Sequence, residues 1–231
     1  PMKLRLCALA ASAVVAALVA SPSVAYAGTR DRAPVRDAAI NRVKTRCLAQ
    51  IDRRQGALSE LDSRIDKRAN LSDAHATALK QIDGEASSGL ATLADTIQAE
   101  QNGEQLRAEC RQIIEGYRVF ALVRPRARLV ITGDRELAAV DKLHEVADRI
   151  QASIEKAKTD GKDTTKAEAD LASMRGATDT AAEHAGAIYD EVIHLTPANY
   201  SAGVLTPGHD DAQAARDAIR EAAHSGHAAV R

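Results

Sequence analysis

Residues 140–195 read VDKLHEVADRIQASIEKAKTDGKDTTKAEADLASMRGATDTAAEHAGAIYDEVIHL. Val140, Leu143, Ala147, Ile150, Ile154 and Ala157 step by three and four, the spacing that lays one apolar face along an α-helix. After Thr159-Asp160-Gly161-Lys162-Asp163 the rhythm returns in Leu171, Met174, Thr178, Ala181, Ala185, Ile188, Val192 and Leu195. Gly161 is a helix stop, and Thr165 with Glu168 has capping-box spacing. Folding at this turn sets Ile154 opposite Leu171, Ile150 opposite Met174, Val140 opposite Ala185 and Leu137 opposite Ile188. Large faces small along most of that seam, as an antiparallel coiled coil with close axes requires. The expectation is therefore an all-α fold, an elongated helical bundle with a long antiparallel coiled-coil hairpin over residues 127–197.

Composition agrees with that reading. Of 231 residues, 48 are alanine, only 2% are aromatic and none is Trp; Phe120 is the one phenylalanine. β-Sandwiches and α/β enzymes draw much of their core area from rings and β-branched side chains, which are scarce here. Thin helix–helix seams without a deep cavity are what this material can build.

Upstream, Ile40, Val43, Cys47, Ile51, Leu58, Leu61 and Ile65 mark one face of a long helix, with Arg54 filling the gap. Ser72 is a candidate N-cap for a short helix carrying Leu79 and Ile82 that ends at Gly84, and a further helix holds Leu90, Leu93 and Ile97. Asn102, with Gln105 reaching back, restarts the chain. Leu106, Cys110, Ile113, Tyr117 and Phe120 form the next seam, where a thicker, pocket-capable region is expected. Val119, Phe120, Val130 and Ile131 around Pro125 also permit two short strands. Two isolated strands would have no sheet to join, so a helix ending before Pro125 and another starting there are preferred. Beyond Pro197, a linker and a last helix opening at Asp210 or Asp211 fill residues 198–231, fraying after Ser225.

The N-terminus carries Lys3 and Arg5, then an apolar run of 15 residues from Leu6 to Ala20, then Ala25-Tyr26-Ala27. The run is shorter than the roughly 20 residues of a membrane-spanning helix, and the closing small-x-small pattern is that of a cleavage site. Residues 1–27 are expected to be a signal peptide and 28–36 a flexible leader, giving a secreted or cell-envelope protein. No transmembrane span is expected in the mature chain. The chain has 31 basic and 32 acidic residues. Removing Lys3 and Arg5 leaves 29 against 32, a balance that gives no drive toward nucleic acid. Export also changes the meaning of the cysteines. Cys47 and Cys110 remain after removal of Cys7, and in an oxidising compartment a Cys47–Cys110 disulfide would staple residues 37–126, closing a loop worth about 4 kcal/mol.

Candidate chemistry is sparse. Glu191 and His194 have the Glu-x-x-His spacing of di-metal helix bundles, and Asp141 with His144 is the comparable pair. The hairpin register holds the two pairs roughly 20 Å apart, and His194 points away from the seam. His209, His224 and His227 read as surface residues. No phosphate-binding glycine loop, nucleophile elbow or metalloprotease motif is present in the sequence. Neither a catalytic residue nor a metal ligand nor a cofactor is assigned. Arg118, Arg124, Arg126 and Arg128 around Pro125 make the one dense basic cluster, a possible patch for an anionic envelope polymer or headgroup.

The run Tyr117-Arg118-Val119-Phe120-Ala121-Leu122-Val123-Arg124-Pro125, followed by Asp134-Arg135, resembles a segment of uncharacterised exported alanine-rich α-helical proteins of GC-rich, actinobacterial-type bacteria. The preference for Arg over Lys, 22 against 9, fits that source. The resemblance spans about Cys47 to Pro197 and implies no established activity. The function expected is that of an exported, non-enzymatic helical protein, an interaction or structural component whose partner is a protein or cell-envelope component. The alternative is a chaperone-like or scavenging clamp for unfolded chains, a metal or a small ligand. An enzyme is a distant third.

Overall fold

The structure, a computed structural model, describes residues 32–231. The expected signal peptide and the first residues of the expected leader lie outside the described residues. Six α-helices and one π turn follow in order, with no strand among the described residues, so the chain is all-α.

Helix α1 runs Arg32–Asp66. Its described part overlaps the end of the segment expected to be a leader. Ile40, Cys47, Ile51, Leu58, Leu61 and Ile65 are buried as their spacing requires, and Arg54 is buried with them.

Helix α2 runs Asp73–Ala99, capped by the Ser72 hydroxyl, which accepts the His75 N–H at 3.2 Å. It does not end at Gly84. Leu79, Asp83, Ala86, Leu90, Leu93 and Ile97 carry one buried stripe past that glycine. Packing that stripe outweighs the roughly 1 kcal/mol that glycine costs inside a helix.

Helix α3, Gly103–Glu115, begins at Asn102, whose side-chain oxygen accepts the N–H groups of Glu104 (2.9 Å) and Gln105 (3.4 Å). Glu100, rather than Gln105, takes the Asn102 N–H, at 2.6 Å. The disulfide Cys47–Cys110 joins α1 to α3 with its Cα atoms 5.6 Å apart.

Arg118 then adopts a left-handed backbone (φ 43°), and Val119–Val123 form a single π turn leading into α4, Arg124–Thr159, with Pro125 in its first turn. The left-handed residue resets the helical phase. Val119, Leu122 and Val123 turn inward, while Phe120, expected on the buried seam, is 48% exposed.

Helix α5 runs Thr165–Val192 after a turn at Gly161 (φ 78°). The capping sits one residue earlier than expected. Asp163 accepts the Thr165 N–H at 2.9 Å, and the Thr164 hydroxyl donates to Glu168 at 2.9 Å. Lys158–Glu168 (2.7 Å) and Arg175–Asp148 (3.5 Å) link α4 to α5, and Ile150, Ile154, Leu171 and Met174 share one buried cluster between them.

A third helix completes this unit. Helix α6 begins at Thr206, four residues before Asp210, and runs to Ala229. Its buried face is Gly208, Ala212, Ala215, Ala218, Ala222, Gly226 and Ala229, with no side chain larger than a methyl. The end expected to fray is packed: a Cβ at Gly226 would stand 2.8 Å from Met174 Sδ.

The boundary drawn at residue 126 is not a break in the core. One cluster runs from α1, α2 and α3 through Leu122, Leu129 and Val130 to Ile188, Val192 and Ala212. The first helices and the base of the α4–α5 pair thus share a single interior.

Candidate functional site

The four arginines expected to form a basic patch divide into two pairs. Arg126 is buried and donates to the carbonyl oxygens of Ile193 (3.4 Å) and Leu195, beyond the last residue of α5, where a cation satisfies unpaired carbonyls and opposes the helix dipole. Burial pushes its pKa below the usual arginine value. Arg118 donates through Nε to the Pro197 carbonyl at 3.3 Å and lies 4.4 Å over the Tyr200 ring. Both fasten the chain after α5 and are taken up by the fold.

Arg124 and Arg128 face outward and meet cations that no sequence cluster had joined to them. The helical repeat sets Arg124, Arg128, Ile131 and Arg135 along one stripe of α4, and Leu61, Arg64 and Arg68 along one stripe of α1 and the turn after it. Where the stripes face each other, a pocket of about 450 Å³ opens, lined also by the turn Lys67–Leu71. Its walls carry Arg64, Lys67, Arg68, Arg124, Arg128 and Arg135, and no acidic residue lines it. Leu61, Leu71 and Ile131 supply apolar surface, and Asn70 and Thr132 neutral polar groups. Its size falls within the range of about 300–1,000 Å³ typical of small-molecule sites.

Neighbouring carboxylates hold some of these cations. Glu60 pairs with Arg64 at 2.6 Å and with Arg124 at 3.5 Å, and the buried Glu136 lies 3.9 Å from Arg135. Lys67, Arg68 and Arg128 make no ion pair among the described residues.

The chain just after the turn that lines the pocket is bound to α4. Asp134, 6% exposed, accepts the Ser72 N–H at 2.7 Å through one carboxylate oxygen and the His75 Nδ1–H at 2.7 Å through the other. The His75 ring stacks on Tyr189 of α5 at 3.8 Å. Ser, His and Asp are the residue types of a catalytic triad, but the Ser72 hydroxyl is engaged as a helix cap with the His75 backbone, and no hydrogen bond joins it to the ring. The cluster is a clasp that fixes the distance between the pocket's two walls.

The histidine pairs weighed in the sequence form no common cluster among the described residues. His194 is exposed and its Nδ1 donates to the Asp190 carbonyl at 2.9 Å. Glu191 instead lies against Asp211 and Asp210, and burial together with those charges raises its pKa. Asp211 is also 2.6 Å from His184 Nδ1. No group of three or more metal-ligating side chains occurs among the described residues. Phe120 lies against cations, 5.3 Å from Arg54 and 5.9 Å from Arg124, beside the pocket rather than within it. No described helix is long and apolar enough to cross a membrane.

The sequence does hold the missing half of the site: Arg64, Lys67 and Arg68 form a basic run at the end of α1. They lie some sixty residues from Arg124, and only the packing of α1 on α4 brings the two runs together. No protein-family model, no curated protein and no solved structure matches this chain.

Proposed function

We propose that this is an exported, non-enzymatic interaction protein of the cell envelope, and that the pocket between α1 and α4 is where it meets an anionic partner. The observation that supports this reading is the pocket wall itself, six cations and no carboxylate on a chain with one net negative charge. Lys67, Arg68 and Arg128 make no ion pair among the described residues, and like charges gathered unpaired on one surface repel one another, so their convergence is best explained by what they attract. The clasp at Asp134 gives that surface a fixed shape.

A cell-envelope fraction tests this reading. Purified protein sediments with the fraction at low salt and is released as salt screens the charges. The R68E/R128E variant, with unchanged helicity, is retained at least about tenfold less well. Equal retention of the two proteins would refute the role given to the pocket.

A further inference from the structure

From the pocket's chemistry we infer that its ligand is an organic phosphate: a phosphate or pyrophosphate group held by Lys67, Arg68 and Arg128, on a body that lies against Leu61, Leu71 and Ile131. This rests on the reading of the pocket as the docking point and names what docks there.

The six cations do two different jobs. Arg64, Arg124 and Arg135 have Glu60 or Glu136 within 4 Å, which offsets part of their charge. Lys67, Arg68 and Arg128 have no carboxylate partner among the described residues, come from opposite walls, and remain exposed. Three uncompensated positive charges are poorly matched by a single carboxylate. A phosphate ester carries up to two negative charges on one centre, with three oxygens able to accept bidentate arginine forks from different directions. Asn70 and Thr132 add neutral polar groups in the same wall. Leu61 and Leu71 are both less than 10% exposed, so the apolar surface is a floor beneath the cations rather than part of the rim. A bare inorganic ion would leave that floor uncovered. A phosphate joined to an apolar or ring-bearing body covers both parts.

Two sources share this chemistry, a phospholipid headgroup and a soluble phosphate ester, and titration separates them. The purified protein is titrated calorimetrically with pyrophosphate, with a phosphate ester of an apolar alcohol, with citrate as a polycarboxylate of similar charge, and with vesicles of phosphatidylglycerol or of phosphatidylcholine. Saturable one-to-one binding of pyrophosphate, with citrate at least about tenfold weaker and the phosphate ester bound more tightly than pyrophosphate, supports a soluble organic phosphate. Binding to phosphatidylglycerol vesicles but not to phosphatidylcholine, with no pyrophosphate binding, supports a lipid headgroup. In either case R68Q/R128Q weakens binding about tenfold or more, whereas K162E, at the far turn between α4 and α5, leaves it unchanged. The glutamine variant keeps a polar, helix-compatible side chain without the charge, and its circular dichroism confirms that loss of binding is not loss of fold. Citrate binding as well as pyrophosphate, pyrophosphate binding as tightly as the ester, no binding of any probe, or binding that ignores R68Q/R128Q would each overturn the inference. If R68E/R128E still loses the envelope fraction while no phosphate probe binds, the phosphate is wrong and the docking role stands. If envelope retention ignores the variant, the docking role itself fails.

Discussion

Arginine in this chain takes its role from what the guanidinium finds within reach. At Arg126 it finds two helix-end carbonyls, at Arg118 a carbonyl and a ring, and at Arg128 an exposed place in the basic pocket with no ion pair among the described residues. Sequence proximity placed these three in one patch, because nothing local separates them. The left-handed turn at Arg118 and the depth of α4 do so. Carboxylates show the same dependence on surroundings. Asp83 is 5% exposed on the α2 stripe, and burial, helped by the nearby Asp62, pushes its pKa up to about 6. A carboxyl whose folded pKa lies above its unfolded value favours the folded state while protonated. That contribution is complete below about pH 4 and is lost as pH rises through about 6. Asp83→Asn is thus expected to stabilise the protein at pH 7.5, by on the order of 1–2 kcal/mol after solvent screening, and to make little difference at pH 4. Urea unfolding at the two pH values checks this; an equal effect at both would show that the buried charge is not the cause.

At the scale of elements, helices α1, α4 and α5 were legible because their apolar residues recur with the helical period. The interruption expected at Gly84 was not real, since a weak local preference against helix lost to a continuous buried stripe. The last helix was expected, but not that it packs as the companion of the α4–α5 pair. Helix α6 offers a buried face made only of alanine and glycine, which in a sequence rich in alanine everywhere marks no face. That face lets α6 lie close against its neighbours, so bulk should not be tolerated there. Ala215, fully buried, is expected to cost about 1–3 kcal/mol when changed to Leu, whereas Gln213→Leu on the exposed side should change stability by less than about 0.5 kcal/mol. Thermal unfolding of the two variants tests the orientation of α6, and equal effects would contradict it. The disulfide belongs to this scale too. Replacing Cys47 and Cys110 together with Ala removes the tie between α1 and α3 and should lower stability by about 2–4 kcal/mol, read from the urea midpoint.

For the molecule as a whole, one interior runs from the stapled helices into the base of the three-helix unit, and the basic pocket opens beside that junction. Its two walls come from runs of sequence some sixty residues apart, which is why the sequence suggested a basic patch only around Pro125 and left Arg64, Lys67 and Arg68 out of it. Asp134 ties the walls together, so Asp134→Ala is expected to weaken envelope binding although it removes no cation. Arg68 and Arg128 would be untouched, and retention by the envelope fraction reads the effect. The central claim is that this pocket is the contact surface, and lysine footprinting tests it most directly. Lys67 lies in the pocket wall and Lys162 at the far turn, and both are exposed. Limited acetylation with and without the envelope fraction, read residue by residue by mass spectrometry, is predicted to show Lys67 protected and Lys162 unchanged. Protection of Lys162 with Lys67 still reactive, or no difference between them, would contradict the claim.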